Sequence, residues 1–196
     1  MQEKVEICMD DDKKRKIIIV EKTMELFKIR GVKNVTVLAI CEELNITRSS
    51  FYYYFKSKEE VLDYYFLSTE IEIEDHLMPI LASETNYDKF YRIFSIYMKR
   101  TTAWGPDIFG RIIDRYLQGK NMILSPEHIA MRDVYVALIR TAQEKKEIKN
   151  TEAPEKIVEL IVVLSVGIAV EWCNQRGGFD YPQKLKEVID SVLRPA

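Results

Sequence analysis

The sequence predicts an all-α fold of about nine helices, with an N-terminal three-helix helix-turn-helix domain over 13–58 and a helical body over 59–196. Three observations carry this. Apolar residues recur with the 3.6-residue period of helices, and no segment alternates apolar and polar side chains as a half-buried strand would. The prolines punctuate the periodic segments: Pro79 closes one, and Pro106, Pro126, Pro154 and Pro182 stand where a first helical turn begins, a position that needs no N–H. Finally, two short apolar segments meet at a corner around Asn45 and Ile46.

The first helix is read over 15–30, with Ile18, Ile19, Lys22, Leu26 and Phe27 in one turn pattern and Gly31 placed to leave it in a positive-φ conformation. Two short helices follow at 36–43 and 47–53. In the first, Val37, Ile40, Cys41 and Leu44 fall at i, i+3, i+4 and i+7 and can pack against the second. Asn45 tolerates the left-handed backbone of a tight turn, Ile46 plugs the corner, and Thr47 caps the second helix. That second helix points Phe51 and Phe55 inward. Its other side chains, Arg48, Ser49, Ser50, Tyr52 and Tyr53, carry hydrogen-bonding groups of a size suited to the major groove of DNA.

Ser57 and Glu60 make a capping box for a helix that can run to Met78. Further helices are read at 86–102, 106–117, 126–149, 154–175 and 182–193, with Gly177-Gly178 as a loop.

Charge separates the two parts. The formal net charge is −2, but residues 1–12 sum to −4, 13–58 to +7 and 59–196 to −5. The basic module coincides with the helix-turn-helix, placing Arg15, Lys16, Lys33, Arg48, Lys56 and Lys58 within reach of phosphates. A charge run alone is usually a solvated face; its coincidence with the motif is what points to DNA.

Other classes find less support. Three cysteines (Cys8, Cys41, Cys173) and two histidines (His76, His128) are too few and too scattered for a disulfide framework or a zinc site, so no metal or cofactor is expected. No phosphate loop, H-E-x-x-H or G-x-S-x-G motif suggests an enzyme. The apolar segment 17–20 is too short for a signal peptide, and the longest nearly apolar stretch, 160–170, is too short for a membrane span, so a cytoplasmic location is expected. The remaining alternative to a DNA-binding regulator is a helical protein-interaction or structural module that keeps the helix-turn-helix as scaffold.

The segment 18–62 resembles the DNA-binding domain of the TetR (tetracycline-repressor-like) family of bacterial transcriptional regulators. The matching residues are Glu25-Leu26-Phe27 with Gly31, the Thr36-Val37 pair with Ile40, the run from Ile46 through Phe55, and Lys56-Ser57-Lys58-Glu59-Glu60-Val61-Leu62. Leu38-Ala39, Leu44-Asn45 and Ser49 depart from the family pattern. The resemblance implies a recognition helix over 47–53 with Arg48, Ser49, Ser50, Tyr52 and Tyr53 facing DNA, and Thr36 and Lys58 holding phosphates at helix starts. It also implies a homodimer on palindromic double-stranded operator DNA, repression of transcription, and a small-molecule effector.

Two features of the body speak to those implications independently. The segment 157–172 is apolar at nearly every position, with Gly167 letting a second backbone approach, and 182–193 adds a further apolar face. Ile157, Leu160, Ile161, Leu164, Ile168, Trp172, Leu185, Ile189 and Val192 are the expected dimer contacts. The segment 97–135 is rich in large side chains with polar edges, and Trp104-Gly105-Pro106 breaks its helical pattern. Tyr97, Met98, Trp104, Phe109, Tyr116, His128, Met131 and Tyr135, joined by Trp172, are the expected lining of a pocket for a mostly apolar or aromatic effector.

Overall fold

The computed structural model describes residues 11–67, 76–127, 129 and 131–196. Its regular elements are helical; among the described residues the only extended pairing is a single antiparallel bridge between Ile148 and Pro195. The chain divides into two compact units between Tyr65 and Phe66. That division falls within a helix and later than the boundary at 58 read from charge.

The first unit begins with α1 (Asp11–Arg30), α2 (Val37–Leu44) and α3 (Arg48–Tyr54), with a 3-10 turn at Val32–Asn34, and ends within α4 (Lys58–Leu67). α1 buries Ile19, Val20, Thr23, Met24 and Phe27. This face is rotated from the one read in sequence: Ile18 is half exposed, and Lys22 pairs with Glu25 on the surface. The helix leaves through Gly31 (φ 76), whose N–H donates to Phe27 O at 2.8 Å. α4 opens as a variant of the expected capping box. Ser57 Oγ accepts from Glu60 N at 3.2 Å, while the Glu60 carboxylate accepts from Lys56 N at 2.5 Å, one residue before the cap.

The second unit holds α5 (Leu77–Leu81), α6 (Asn86–Ala103), α7 (Pro106–Leu117), α8 (Arg132–Glu144), α9 (Pro154–Asn174) and α10 (Tyr181–Leu193). α9 packs against α7, α8 and α10, and α6 lies against α8 and α10. Phe90, Phe94 and Tyr135 make a three-ring cluster between α6 and α8, with centroids 5.4–5.7 Å apart. The start of α6 is capped twice. Thr85 Oγ1 accepts from Asp88 N at 3.0 Å, and the Glu147 carboxylate accepts from the backbone N–H of Asn86 and Tyr87.

Four sequence expectations need correction here. Pro79 lies inside α5 instead of closing a helix. Pro126 starts none: Ser125 hydroxyl is engaged by the Glu127 carboxylate, and α8 begins only after Met131, which adopts φ 65. The same helix ends at Glu144, followed by Lys146 at φ 58, well short of 149. The apolar stretch 160–170 belongs to a longer helix, for α9 has 21 residues and by length and composition could cross a membrane. Its Ile157, Val158, Ile161, Val162, Ala169 and Trp172 are instead buried within the second unit.

Candidate nucleic-acid interface

The corner between α2 and α3 is built from caps. Thr36 Oγ1 accepts from Ala39 N at 3.1 Å at the start of α2, and Thr47 Oγ1 accepts from Ser50 N at 3.1 Å at the start of α3. Between them Asn45 sits at φ 50, ψ 45, and Ile46 N donates to Cys41 O at 3.0 Å. A β-branched or large apolar residue at position 45 would resist that left-handed backbone, and an asparagine does not.

α3 is anchored by two phenylalanines, Phe51 fully buried and Phe55 at 2% exposure, with centroids 6.1 Å apart. With these facing inward, Arg48, Ser49, Ser50, Tyr52 and Tyr53 are left on the solvent side, Tyr53 at 72% exposure. The hydroxyls of Thr47 and Ser50 share a hydrogen bond of 2.9 Å on the same surface. Thus seven of the eight residues expected to meet DNA are exposed: Thr36, Thr47, Arg48, Ser49, Ser50, Tyr52 and Tyr53.

Lys58 is placed differently. Its side chain is 19% exposed, and Nζ donates to Val32 O at 2.6 Å and Val35 O at 2.7 Å. Lys16, another basic residue set out for phosphates, lies over the rings of Tyr64 (4.2 Å) and Phe55 (5.2 Å).

Sequence reasoning missed the role of Asp12. Its carboxylate accepts from Tyr54 OH at 2.9 Å and Tyr53 OH at 3.3 Å, so the start of α1 grips the end of α3. Burial and this carboxylate raise the Tyr54 phenol above its ordinary value, with Arg15 opposing. Asp12 and Lys16 lie one helical turn apart, a spacing that puts both on one face of α1. Burial likewise raises the Cys41 thiol under the corner, which Arg48 partly offsets.

The second unit contains a small apolar cavity of about 50 Å³. Of the expected effector residues, Met98, Phe109 and Tyr135 line it. Trp104, Tyr116, Met131 and Trp172 are not among its lining; Trp172 packs on Tyr181 with centroids 5.6 Å apart. The side chain of Tyr97, and His128 as a whole, lie outside the described residues. The rest of the wall comes from positions not singled out for a pocket, chiefly Val162, Ser165, Val166 and Ala169 of α9 and Tyr181 and Leu185 of α10. Ser165 Oγ donates to Ile161 O at 2.6 Å, so the wall offers little polar capacity. Among the described residues no three His, Cys, Asp or Glu side chains are grouped as a metal would need.

The expected dimer contacts divide by burial. Ile157, Ile161, Trp172, Leu185 and Ile189 are core residues of the second unit and present no surface to a partner, because their helical face is the one turned inward. On the opposite face of α9, Leu160 (46%), Val163 (53%) and Val170 (44%) are exposed together with Gly167, while Leu164 and Ile168 of α9 and Val192 of α10 are half-buried.

Residues 19–65 match the family model described as "Bacterial regulatory proteins, tetR family". The chain is 21% identical over 189 residues to the HTH-type transcriptional repressor BepR of Brucella suis biovar 1 (strain 1330), covering 87% of this chain and 86% of that protein. Its fold is similar to that of Thermus thermophilus FadR, a TetR-family transcriptional repressor solved with lauroyl-CoA. The TM-score is 0.70, identity is 20%, and the match covers 91% of this chain and 93% of that one. It is also similar to PfmR, another TetR-family regulator of Thermus thermophilus, at TM-score 0.54 and 17% identity over 90% and 97% of the two chains.

Proposed function

We propose that the chain is a helix-turn-helix regulator of the TetR family, a sequence-specific transcriptional repressor that leaves its operator when a small apolar molecule binds the body. The observation that supports this most is the solvent face of α3. Two buried phenylalanines and two capping threonines hold Arg48, Ser49, Ser50, Tyr52 and Tyr53 outward as one set of donors and acceptors, on the basic part of an otherwise acidic chain. Arg48 suits guanine edges and the hydroxyl side chains suit several bases, while Thr36, at the exposed start of α2, suits a phosphate.

Two copies reading two half-sites require a two-fold contact, and the apolar stripe Leu160, Val163, Gly167 and Val170 of α9 is its proposed centre. The proposed operator is accordingly palindromic double-stranded DNA, and the proposed location is the bacterial cytoplasm. For the effector, the nearly all-apolar wall around Met98, Phe109 and Tyr135 favours an aliphatic or aromatic molecule. Since the similar FadR was solved with lauroyl-CoA, a medium-chain acyl compound is the first ligand to try.

Selecting bound duplexes from a random library with the full chain tests the reading. Enrichment of one palindromic sequence, with affinity falling steeply as salt rises, is expected. Failure to retain any duplex at low salt would favour the interaction-module alternative.

A further inference from the structure

Lys58 is the first residue of α4, and its ammonium reaches back 26 residues to Val32 O and 23 to Val35 O. Between Val35 and Lys58 the chain contains α2, the corner and α3 and nothing else that is helical, so this one side chain closes a loop around the whole reading unit. Both carbonyls belong to a short irregular connection: Gly31 at φ 76, a single 3-10 turn, then Val35 and Thr36 extended. Val32 and Val35 are buried, Val35 completely, so solvent is a poor substitute partner for their carbonyls. Two charge-assisted bonds of 2.6 and 2.7 Å from a side chain 19% exposed are strong ones, and Glu59 adds a carboxylate 3.9 Å from the ammonium. The residue set at the end of this connection is Thr36, the cap that starts α2.

We infer that Lys58 is a positioning residue for DNA reading, tying the entry of α2 to the start of α4 and thereby fixing the helix pair, and is not a phosphate ligand. The inference rests on α3 being the reading helix. It replaces the phosphate role that family resemblance implies for this position, because two of the three ammonium N–H groups are already directed inward.

Two variants of the full chain separate the roles. Lys58→Met keeps the apolar stem and removes every donor. Lys58→Arg keeps the charge but carries a planar fork in place of a compact ammonium. Amide hydrogen exchange of the free protein over 32–37 is measured first, then duplex affinity across a salt series. In Lys58→Met, exchange over 32–37 rises about tenfold or more and affinity falls by a similar factor at every salt, with the wild-type salt slope. Lys58→Arg weakens binding in the same way, since its fork fits two converging carbonyls poorly. Wild-type exchange in Lys58→Met, with a salt slope lower by about 0.9 and binding kept in Lys58→Arg, would show a phosphate contact and overturn the inference. Accelerated exchange in a protein whose wild type binds no duplex would overturn the reading of α3, and with it the DNA role of Lys58, while leaving the tie in place.

Discussion

Thr23 is fully buried on α1, and among the described residues its hydroxyl has no hydrogen-bond partner. An unpaired buried hydroxyl opposes folding, so Thr23→Val, of nearly the same shape, is expected to stabilise the chain by about 1 kcal/mol, read as a higher urea midpoint with unchanged slope. Asn45 gives the opposite case. At φ 50 an alanine is strained and a glycine is not, so Asn45→Ala should lose about 1 kcal/mol while Asn45→Gly stays within a few tenths. Cys173 carries a pH signature. Burial, with Asp107 adding to it, raises its thiol from 9.0 to about 11. The folded chain therefore holds this proton more tightly than the unfolded chain, and its contribution to stability, complete below pH 9, is lost as pH rises toward 11. Unfolding of wild type and Cys173→Ser compared at pH 8 and pH 10.5 should show the wild type losing more stability over that interval; equal losses would count against it.

At the scale of elements, α9 has two faces with different tasks. Ile161 is 1% exposed and Val163 is 53% exposed, only two positions apart. Ile161→Ala should cost about 2–5 kcal/mol, as core truncations do, and leave self-association of whatever remains folded unaltered. Val163→Lys should leave the unfolding midpoint nearly unchanged and shift sedimentation at micromolar concentration from dimer to monomer; a persisting dimer would move the interface elsewhere. This division was not legible in the sequence. A helix apolar on all sides offers no periodic contrast, so nothing in 157–172 says which stripe meets its own body. The elements with local chemistry were legible: the capping Thr47, the left-handed Asn45, and the inward Phe51 and Phe55 follow from their own neighbours, while Thr36, which the sequence places as the first residue of its helix, is the cap one position before it. Pro126 shows the limit of that reasoning, since proline permits a helix start without compelling one, and α8 begins only after Met131 at φ 65. Lys58 and Asp12 were hidden for a different reason, as their partners lie 23 to 42 residues away in sequence.

For the molecule as a whole, control of DNA binding requires a ligand that distinguishes two arrangements, because equal affinity for both shifts nothing. The cavity of the second unit supplies a reason for such a difference. At about 50 Å³ it is smaller than the roughly 150 Å³ that accommodates benzene in an engineered core, so any effector entering there must displace packed side chains. The walls that yield include Val162, Ser165, Val166 and Ala169, on the inward side of the helix whose outward stripe is the proposed dimer contact. On the proposed reading, ligand entry and subunit geometry are two loads on one helix, and the ligand is expected to favour the arrangement with lower operator affinity. Filling the cavity in advance separates entry from DNA reading. Ala169 is 1% exposed and lines the space, so Ala169→Leu should occupy much of it at a cost of about 1–3 kcal/mol in packing strain. Fluorescence anisotropy of a labelled operator, titrated with a medium-chain acyl compound, reads both properties. Wild type should release the duplex. Ala169→Leu should bind the duplex with near wild-type affinity and need at least about tenfold more ligand, the factor that 1.4 kcal/mol of lost binding produces. Release of both proteins at the same ligand concentration would place the effector site outside this cavity.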